Sequence, residues 1–147
     1  MDTSVIGGFL DEEFRVPTSR LFEDFKAKRL RPVISIVTLL EIEGAPRAVQ
    51  DLLVDDCLRD YDFADLNSEA EYLAEQYLKQ GVIPATSVAD AQHIAIATIS
   101  RVDLLVSWNF KHIVKLSRIR GFNAVNLMNG YQMLEIRSPM EVYYEED

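Results

Sequence analysis

The stretch from Ser87 to Asn109 constrains the fold of this chain more than any other part of the sequence. It opens with the helix-start pattern Ser87-Val-Ala-Asp90 and continues as an apolar helix to about Ser100. The run from Leu104 to Ser107 then predicts a buried strand that leads into Asn109. In an open parallel sheet, ligands bind outside the carboxyl ends of the strands. An acid at a helix start, beside the polar end of a strand, therefore indicates a site in an α/β protein.

The other segments agree with an α/β class. Val33 to Val37 is apolar on both faces, which is typical of a central parallel strand, and a helical turn carrying Glu41 follows it. Strands that alternate with helices predict a parallel sheet, and no repeat or linker divides the chain, so we expect one domain over 1–147 with an acidic tail from about 135. Further elements are predicted as helices over 19–28, 47–53, 68–80 and 110–116, an edge strand over 61–66 and a final strand over 124–127.

Composition excludes several classes of protein. The 147 residues are 48% hydrophobic, which is enough for a core, and no apolar run reaches the roughly 18 residues of a transmembrane helix. The start of the chain lacks the pattern of a signal peptide. The single cysteine, Cys57, supports neither a disulfide framework nor a Cys/His zinc site. We therefore expect a cytoplasmic protein.

The net charge of −9 argues against broad electrostatic binding of nucleic acid, which requires a basic footprint. The charge is unevenly distributed, however, because acids dominate between Glu41 and Lys79. The basic residues form two groups. Each group alone is most simply the solvated face of a helix. Together, the two groups could flank an acidic pocket and hold a phosphate backbone. The basic residues are Lys26, Lys28, Arg29 and Arg31 in one group, and Arg101, Lys111, Lys115, Arg118 and Arg120 in the other.

Each candidate residue also has a plain structural interpretation. Asp90 could serve only to cap its helix, where a carboxylate complements the positive end of the dipole. A lone histidine on a buried helix, such as His93, is more often a hydrogen-bonded core residue than a ligand. Glu41 stands at the first turn after a strand, where a site residue belongs, although a glutamate there is ordinarily solvated. Asp2 gains meaning only if folding brings it near the other acids.

Four segments, in this order, resemble the PIN-domain family of nucleases, and within it the VapC-type toxins of bacterial toxin–antitoxin pairs. The segments are Asp2-Thr-Ser-Val, Ser35-Ile-Val-Thr-Leu-Leu-Glu41, Val88-Ala-Asp90-Ala-Gln-His-Ile-Ala and Leu104-Leu-Val-Ser-Trp-Asn109. The resemblance covers nearly the whole chain. The resemblance implies a three-layer α/β/α sandwich with a parallel sheet.

The resemblance also implies an endoribonuclease that depends on Mg²⁺ or Mn²⁺. Carried over residue by residue, Asp2, Glu41 and Asp90 would hold the metal, and Asn109 would belong to the same catalytic group. The RNA would be held by residues that follow in sequence, namely Lys111, His112, Lys115 and Arg118. The implied partner is a small antitoxin that lays an apolar helix in a groove and places a basic residue on the acidic pocket. A homodimer is a further expectation.

Two departures from the family pattern leave alternatives open. Many members carry an aspartate where this chain has Asn109, so we expect weaker metal binding. In the family a first strand leads into the first aspartate, whereas only Met1 precedes Asp2, so we expect that strand to be missing. One alternative is a non-catalytic PIN-like module that binds RNA or protein. Another is an unrelated α/β protein, for example a phosphoesterase for small molecules, in which Asp90 is only a helix cap.

Overall fold

A computed structural model of the chain describes residues 1–142. Helices dominate this range, and none of the described helices is long and apolar enough to cross a membrane. The α-helices are α1 (Thr3–Gly8), α2 (Arg15–Lys26), α3 (Ile36–Glu43), α4 (Arg47–Leu52), α5 (Ser68–Lys79), α6 (Val88–Ile99) and α7 (Leu116–Met128), and a 3₁₀ turn spans Pro139–Glu141.

The strands form two small parallel sheets. In the first, β1 (Val33–Ser35) pairs with β2 (Asp62–Ala64), and Ile34 lies opposite Phe63. In the second, β3 (Leu105–Val106) pairs with β4 (Ile136–Arg137), and Leu105 lies opposite Ile136. Parallel pairing across intervening helices establishes the mixed α/β class predicted from the sequence. Because the described strands form two pairs rather than one sheet, the three-layer sandwich stays a prediction.

The first two residues lie between the two sheets. The Met1 amino group donates to the Val33 carbonyl oxygen of β1 at 3.2 Å, and the Asp2 amide donates to the Val106 carbonyl oxygen of β3 at 3.2 Å. The start of the chain thus bridges β1 and β3 before α1 begins. This bridge fixes the position of Asp2 at the carboxyl ends of the two strands.

Two groups of buried side chains hold these elements. The larger one packs the apolar faces of α5, α6 and α7 together, with Tyr77, Ile94 and Phe122 almost completely buried. The smaller one joins α1 and α2 to β1 and β3, and includes Ile6 and Phe22. The site described below lies where α1, α3, α6 and the end of β3 meet.

The strand predicted over 124–127 is wrong. These residues belong to α7, in which Phe122, Val125 and Asn126 are buried at helical spacing. The Asn126 amide group donates to Thr98 Oγ1 at 3.2 Å, so a polar residue is satisfied on the buried face. The helix predicted over 110–116 is also wrong, because turns occupy that stretch and α7 begins only at Leu116.

The structure shows how α5 and α6 begin. Asn67 rather than Ser68 caps α5, since its Oδ1 accepts from the Ala70 amide at 2.8 Å. Ser87 occupies the cap position of α6 but makes no side-chain cap bond. Its own amide donates to the Pro84 carbonyl at 2.9 Å. The predicted acidic tail begins with β4, and its last five residues lie outside the described range.

Candidate active site at the carboxyl ends of the strands

Asp2 is a buried carboxylate held by two serine hydroxyls. Its residue is 4% exposed, and it is the extended residue immediately before α1. Ser4 Oγ donates to Asp2 Oδ1 at 2.6 Å and Ser107 Oγ donates to Oδ2 at 2.8 Å. Burial nevertheless raises the pKa of Asp2 above its ordinary value, with the nearby His93 and the two serines acting in the opposite direction. A carboxylate maintained in such surroundings is typical of a functional site.

Glu41 and His93 form a second, closely spaced pair. Ser35 ends β1 and caps α3, since its Oγ accepts from the Thr38 amide at 3.3 Å, and the helix then carries Glu41 over the end of the strand. His93 Nε2 lies 2.6 Å from Glu41 Oε1, and Thr3 Oγ1 donates to the same oxygen at 2.9 Å. The contact with His93 is the main cause that lowers the pKa of Glu41. The expectation that His93 is buried and hydrogen-bonded is confirmed.

Asp90 lies in the first turn of α6 and pairs across to the loop after β3. Asn109 Nδ2 donates to Asp90 Oδ1 at 3.3 Å, and His112 Nδ1 lies 3.1 Å from Asp90 Oδ2. The His112 amide donates to Asn109 Oδ1 at 2.9 Å, which fixes the orientation of that amide side chain. Asp90 therefore contacts groups from a different part of the fold, in addition to any role at its own helix end.

Hydroxyl groups join these carboxylates into one network. Ser107 Oγ donates to Asp2 and accepts from the Asn109 amide at 2.9 Å, so the chain of contacts runs from Asp2 through Asn109 to Asp90. Glu41 is connected to this network by its hydrogen bond from Thr3, the residue that directly follows Asp2. The four residues predicted from the sequence thus meet at one edge of the fold. The network includes Thr3, Ser4 and Ser107, which sequence reasoning missed because single hydroxyl residues form no recognisable pattern.

The chemistry of this donor set suits a hard divalent cation, although the side chains do not form a ready ligand cluster. Carboxylate and amide oxygens are the donors that Mg²⁺ and Mn²⁺ prefer. Within residues 1–142, however, no three His, Cys, Asp or Glu side chains lie close enough to hold one ion. Glu41 and Asp90 instead each contact a histidine. Binding of a cation would therefore require these carboxylates to turn from their present partners.

The Trp108 side chain packs in the core, and its backbone amide contacts the site. Its residue is 6% exposed, its indole stacks on Phe14 at a ring separation of 4.2 Å, and its Nε1 donates to Thr18 Oγ1 at 2.9 Å. The Trp108 amide donates to Ser4 Oγ at 2.8 Å. The tryptophan thus belongs to the core, and its backbone positions one of the two serines that hold Asp2.

The predicted RNA-binding residues divide into two kinds. Lys111 and Lys115 are exposed on the turns between Asn109 and α7, so their charges are available to a ligand. His112 instead contacts Asp90. Arg118 is half-buried and donates from Nη1 to the Val82 carbonyl oxygen. Its buried Nε has no hydrogen-bond partner among the described residues.

No family model, curated protein or solved structure that was compared matches this chain. The resemblance to PIN-domain nucleases therefore remains a prediction that rests on the residues themselves.

Proposed function

We propose that the protein is a metal-dependent endoribonuclease whose site comprises Asp2, Glu41, Asp90 and Asn109. The observation that carries the proposal is the continuous network from Asp2 through Ser107 and Asn109 to Asp90. These residues are far apart in sequence, yet they converge at the carboxyl ends of two strands, where α/β proteins bind their ligands. A helix cap alone would not require Asp90 to contact Asn109 and His112.

Asp2, Glu41 and Asp90 would hold Mg²⁺ or Mn²⁺, which, when bound, lowers the pKa of a water ligand and offsets charge on the phosphate. Other residues of the chain hold these carboxylates in place. Ser4 and Ser107 hold the buried Asp2 carboxylate at a fixed angle. His93 and Thr3 hold Glu41, which is exposed enough to face a substrate, with 41% of its side chain accessible.

RNA would approach from the side of Glu41 and Asn109. An open cleft of about 570 Å³ lies beside Glu41 and is lined by Leu40, Asp65 and Gln92 among others. Lys111 and Lys115 would contact phosphates, since a lysine positions a nucleic-acid backbone without reading its sequence. His112 would become available to a phosphate once Asp90 turned toward the cation.

The partner and the assembly belong to the same proposal. A VapC-type toxin in a three-layer PIN sandwich would work in the cytoplasm against RNA, under control of a small antitoxin. Exposed apolar side chains that lie within two residues of Glu41, Asp90 and Asn109 in sequence would receive the apolar helix of that antitoxin; they are Leu40, Val88 and Phe110. A homodimer through another exposed apolar face is part of the same expectation.

The test is cleavage of a mixed single-stranded RNA by the purified protein, in Mn²⁺ and in EDTA. We expect cleavage in Mn²⁺ and none in EDTA, with internal fragments rather than terminal nucleotides as products. Equal cleavage in both buffers would contradict the proposal, and so would hydrolysis of a small phosphodiester without any action on RNA.

A second candidate is a binding module of the same fold without catalysis. It is favoured by the carboxylates being already paired with histidines and by the neutral Asn109 at the site. Calorimetry separates the two candidates. A module should bind RNA or a protein without taking up Mn²⁺, whereas the nuclease should bind Mn²⁺ in the absence of RNA.

A further inference from the structure

A polar pocket of about 340 Å³ lies at the end of α6 that is remote from Asp90. The last turn of α6 lines one side of it, Glu69 from the first turn of α5 lines another, and the loop over 130–132 that follows α7 lines a third. The two ends of α6, a helix of 12 residues, are roughly 16 Å apart. This pocket is therefore separate from the proposed nuclease site.

Arg101 brings a positive charge to this pocket. Within residues 1–142, its guanidinium group makes no hydrogen bond or ion pair. A guanidinium group has five N–H donors in a planar arrangement that matches a carboxylate. Arg101 is therefore available to bind an anionic group of a ligand.

Glu69 brings the opposite charge to the same pocket. Its Oε1 accepts from the Tyr131 hydroxyl at 2.5 Å, which holds the carboxylate next to the loop over 130–132. Helix dipoles favour an acid at the start of α5 and a base at the end of α6, but they do not require the two charges to line one cavity. No ion pair joins Glu69 to Arg101 among the described residues. The cavity is thus complementary to a ligand that carries a charge of each sign.

The remaining lining favours a small polar ligand. The Gln132 amide group makes no hydrogen bond within the described range, and it can both donate and accept. The Thr98 hydroxyl is already satisfied, since it donates to the Ile94 carbonyl at 3.0 Å and accepts from Asn126 Nδ2 at 3.2 Å. Ile99 contributes the one aliphatic side chain of this lining. The volume of the pocket is in the range of small-molecule sites.

We propose that this pocket binds a small zwitterion of the amino-acid class. The carboxylate of the ligand pairs with Arg101, and its ammonium group pairs with Glu69. Gln132 adds a hydrogen bond to the ligand, and Tyr131 holds Glu69 in place. The site is independent of the ribonuclease assignment, because none of these residues belongs to the network around Asp2.

The test is an NMR titration of the isotope-labelled protein with each standard amino acid in turn. The readout is the change in the backbone amide signals of residues 99–101 and 130–132. Acetate and methylammonium are the fragment controls, because each carries only one of the two charges. We expect at least one amino acid to shift these signals to saturation, with a Kd lower than that of either fragment by about tenfold or more.

Arg101→Gly removes the guanidinium group and keeps the backbone conformation, because Arg101 has a φ of 55°, which glycine favours. Lys28→Gly is the matched control. Lys28 has a φ of 59° after the end of α2 and does not line this pocket, so both variants lose one positive charge beyond a helix end. We expect Arg101→Gly to raise the Kd about tenfold or more and Lys28→Gly to leave it unchanged. Thermal unfolding checks that both variants are folded.

Glu69→Gln separates a zwitterion site from a simple anion site. The variant loses the negative charge and keeps an oxygen that can accept from Tyr131. We expect weaker binding of the amino acid, by about tenfold, and no weakening of acetate binding.

Three results would overturn the proposal. The first is that no amino acid shifts the signals of residues 99–101 and 130–132. The second is that acetate binds as tightly as the amino acids do. The third is that Arg101→Gly or Glu69→Gln binds the amino acid as tightly as wild type does. None of these readouts depends on RNA cleavage or on a bound metal, so failure here is distinguishable from failure of the nuclease proposal.

Discussion

The surroundings of Asp2 and Glu41 shift the pKa values of these two carboxyl groups in opposite directions. Asp2 is buried and its pKa is raised, whereas Glu41 is partly exposed and its pKa is lowered by His93. The proposed nuclease needs these acids near one another. Acids held close together destabilise the folded protein, and a bound cation would offset that effect. Two predictions at the scale of single residues follow from this difference.

Asp2→Asn should change how stability depends on pH. The folded protein binds the Asp2 proton more tightly than the unfolded chain, because burial raises the pKa of this carboxyl from 3.8. Its contribution to the free energy of unfolding is therefore present below pH ~4 and is lost as pH rises through the folded pKa. Asn does not titrate, so the variant should gain stability relative to wild type as the pH rises above about 4. Urea unfolding in EDTA across this range measures the effect.

Asp51→Asn is the matched control for that series. Asp51 is an exposed acid on α4, and 67% of its side chain is accessible. The Asp51→Asn series corrects for the general effect of removing one carboxylate from this acidic chain. A stability difference for Asp2→Asn that does not change with pH after this correction would show that burial of Asp2 has no energetic consequence.

Asn109→Asp should make the folded protein depend on a divalent cation. The Asn109 amide group donates to Asp90 at 3.3 Å, and an aspartate would replace this donor with a second negative charge. We expect the free energy of unfolding of the variant to be lower than that of wild type by about 1–3 kcal/mol in EDTA. Mn²⁺ should then raise Tm more in the variant than in wild type, which thermal unfolding measures directly. Identical Tm values with and without Mn²⁺ in both proteins would argue against a metal site here.

At the scale of elements, the sequence predicted those parts of the fold whose pattern is local. The apolar helix after Asp90 and the strand before Ser107 were predicted because each is a local apolar segment that begins or ends at polar residues. The residues of α7 were assigned wrongly at 124–127, because Asn123 and Asn126 interrupt the apolar pattern and only folding supplies their partners. Those partners are the Leu134 backbone for Asn123, and Tyr77 and Thr98 for Asn126.

In the candidate site, too, the residues with a local pattern were predicted and the contacts that depend on folding were not. Asp90 and Asn109 were predicted from a helix start and a strand end, and Glu41 from the turn after a strand. The contact between Glu41 and His93 was not predicted, because it joins α3 to α6 across 52 positions in sequence. The serine partners of Asp2 were missed for the same reason, since they depend on how α1 packs against the end of β3.

The packing of α1 against Trp108 yields a prediction with an internal control. A Cβ added at Gly8 would lie 2.6 Å from Trp108 Nε1, whereas a Cβ added at Gly7 meets nothing within 4 Å. Gly8→Ala should lower the free energy of unfolding by roughly 1–3 kcal/mol. Gly7→Ala should leave it unchanged or raise it by up to about 1 kcal/mol, because alanine favours the helix. Equal urea midpoints for the two variants would contradict this account of α1.

At the scale of the whole molecule, the bridge made by Met1 and Asp2 links fold and function. The same two residues join β1 to β3 and place a carboxylate beside Ser107 and Asn109. With a net charge of −9, the proposed RNA binding would be local, through a few lysines and a bound cation, rather than through a broad basic surface.

The central claim is that Asp90 acts in metal-dependent cleavage of RNA, and one measurement tests it most directly. The initial rate of RNA cleavage in Mn²⁺ should be compared for wild type, Asp90→Asn and Asp51→Asn, with circular dichroism to confirm folding. We predict that Asp90→Asn lowers the rate on the order of 100-fold or more, because the substitution would remove a proposed metal ligand. Asp51→Asn should cleave as wild type does. A folded Asp90→Asn protein that cleaves at the wild-type rate would contradict the assignment.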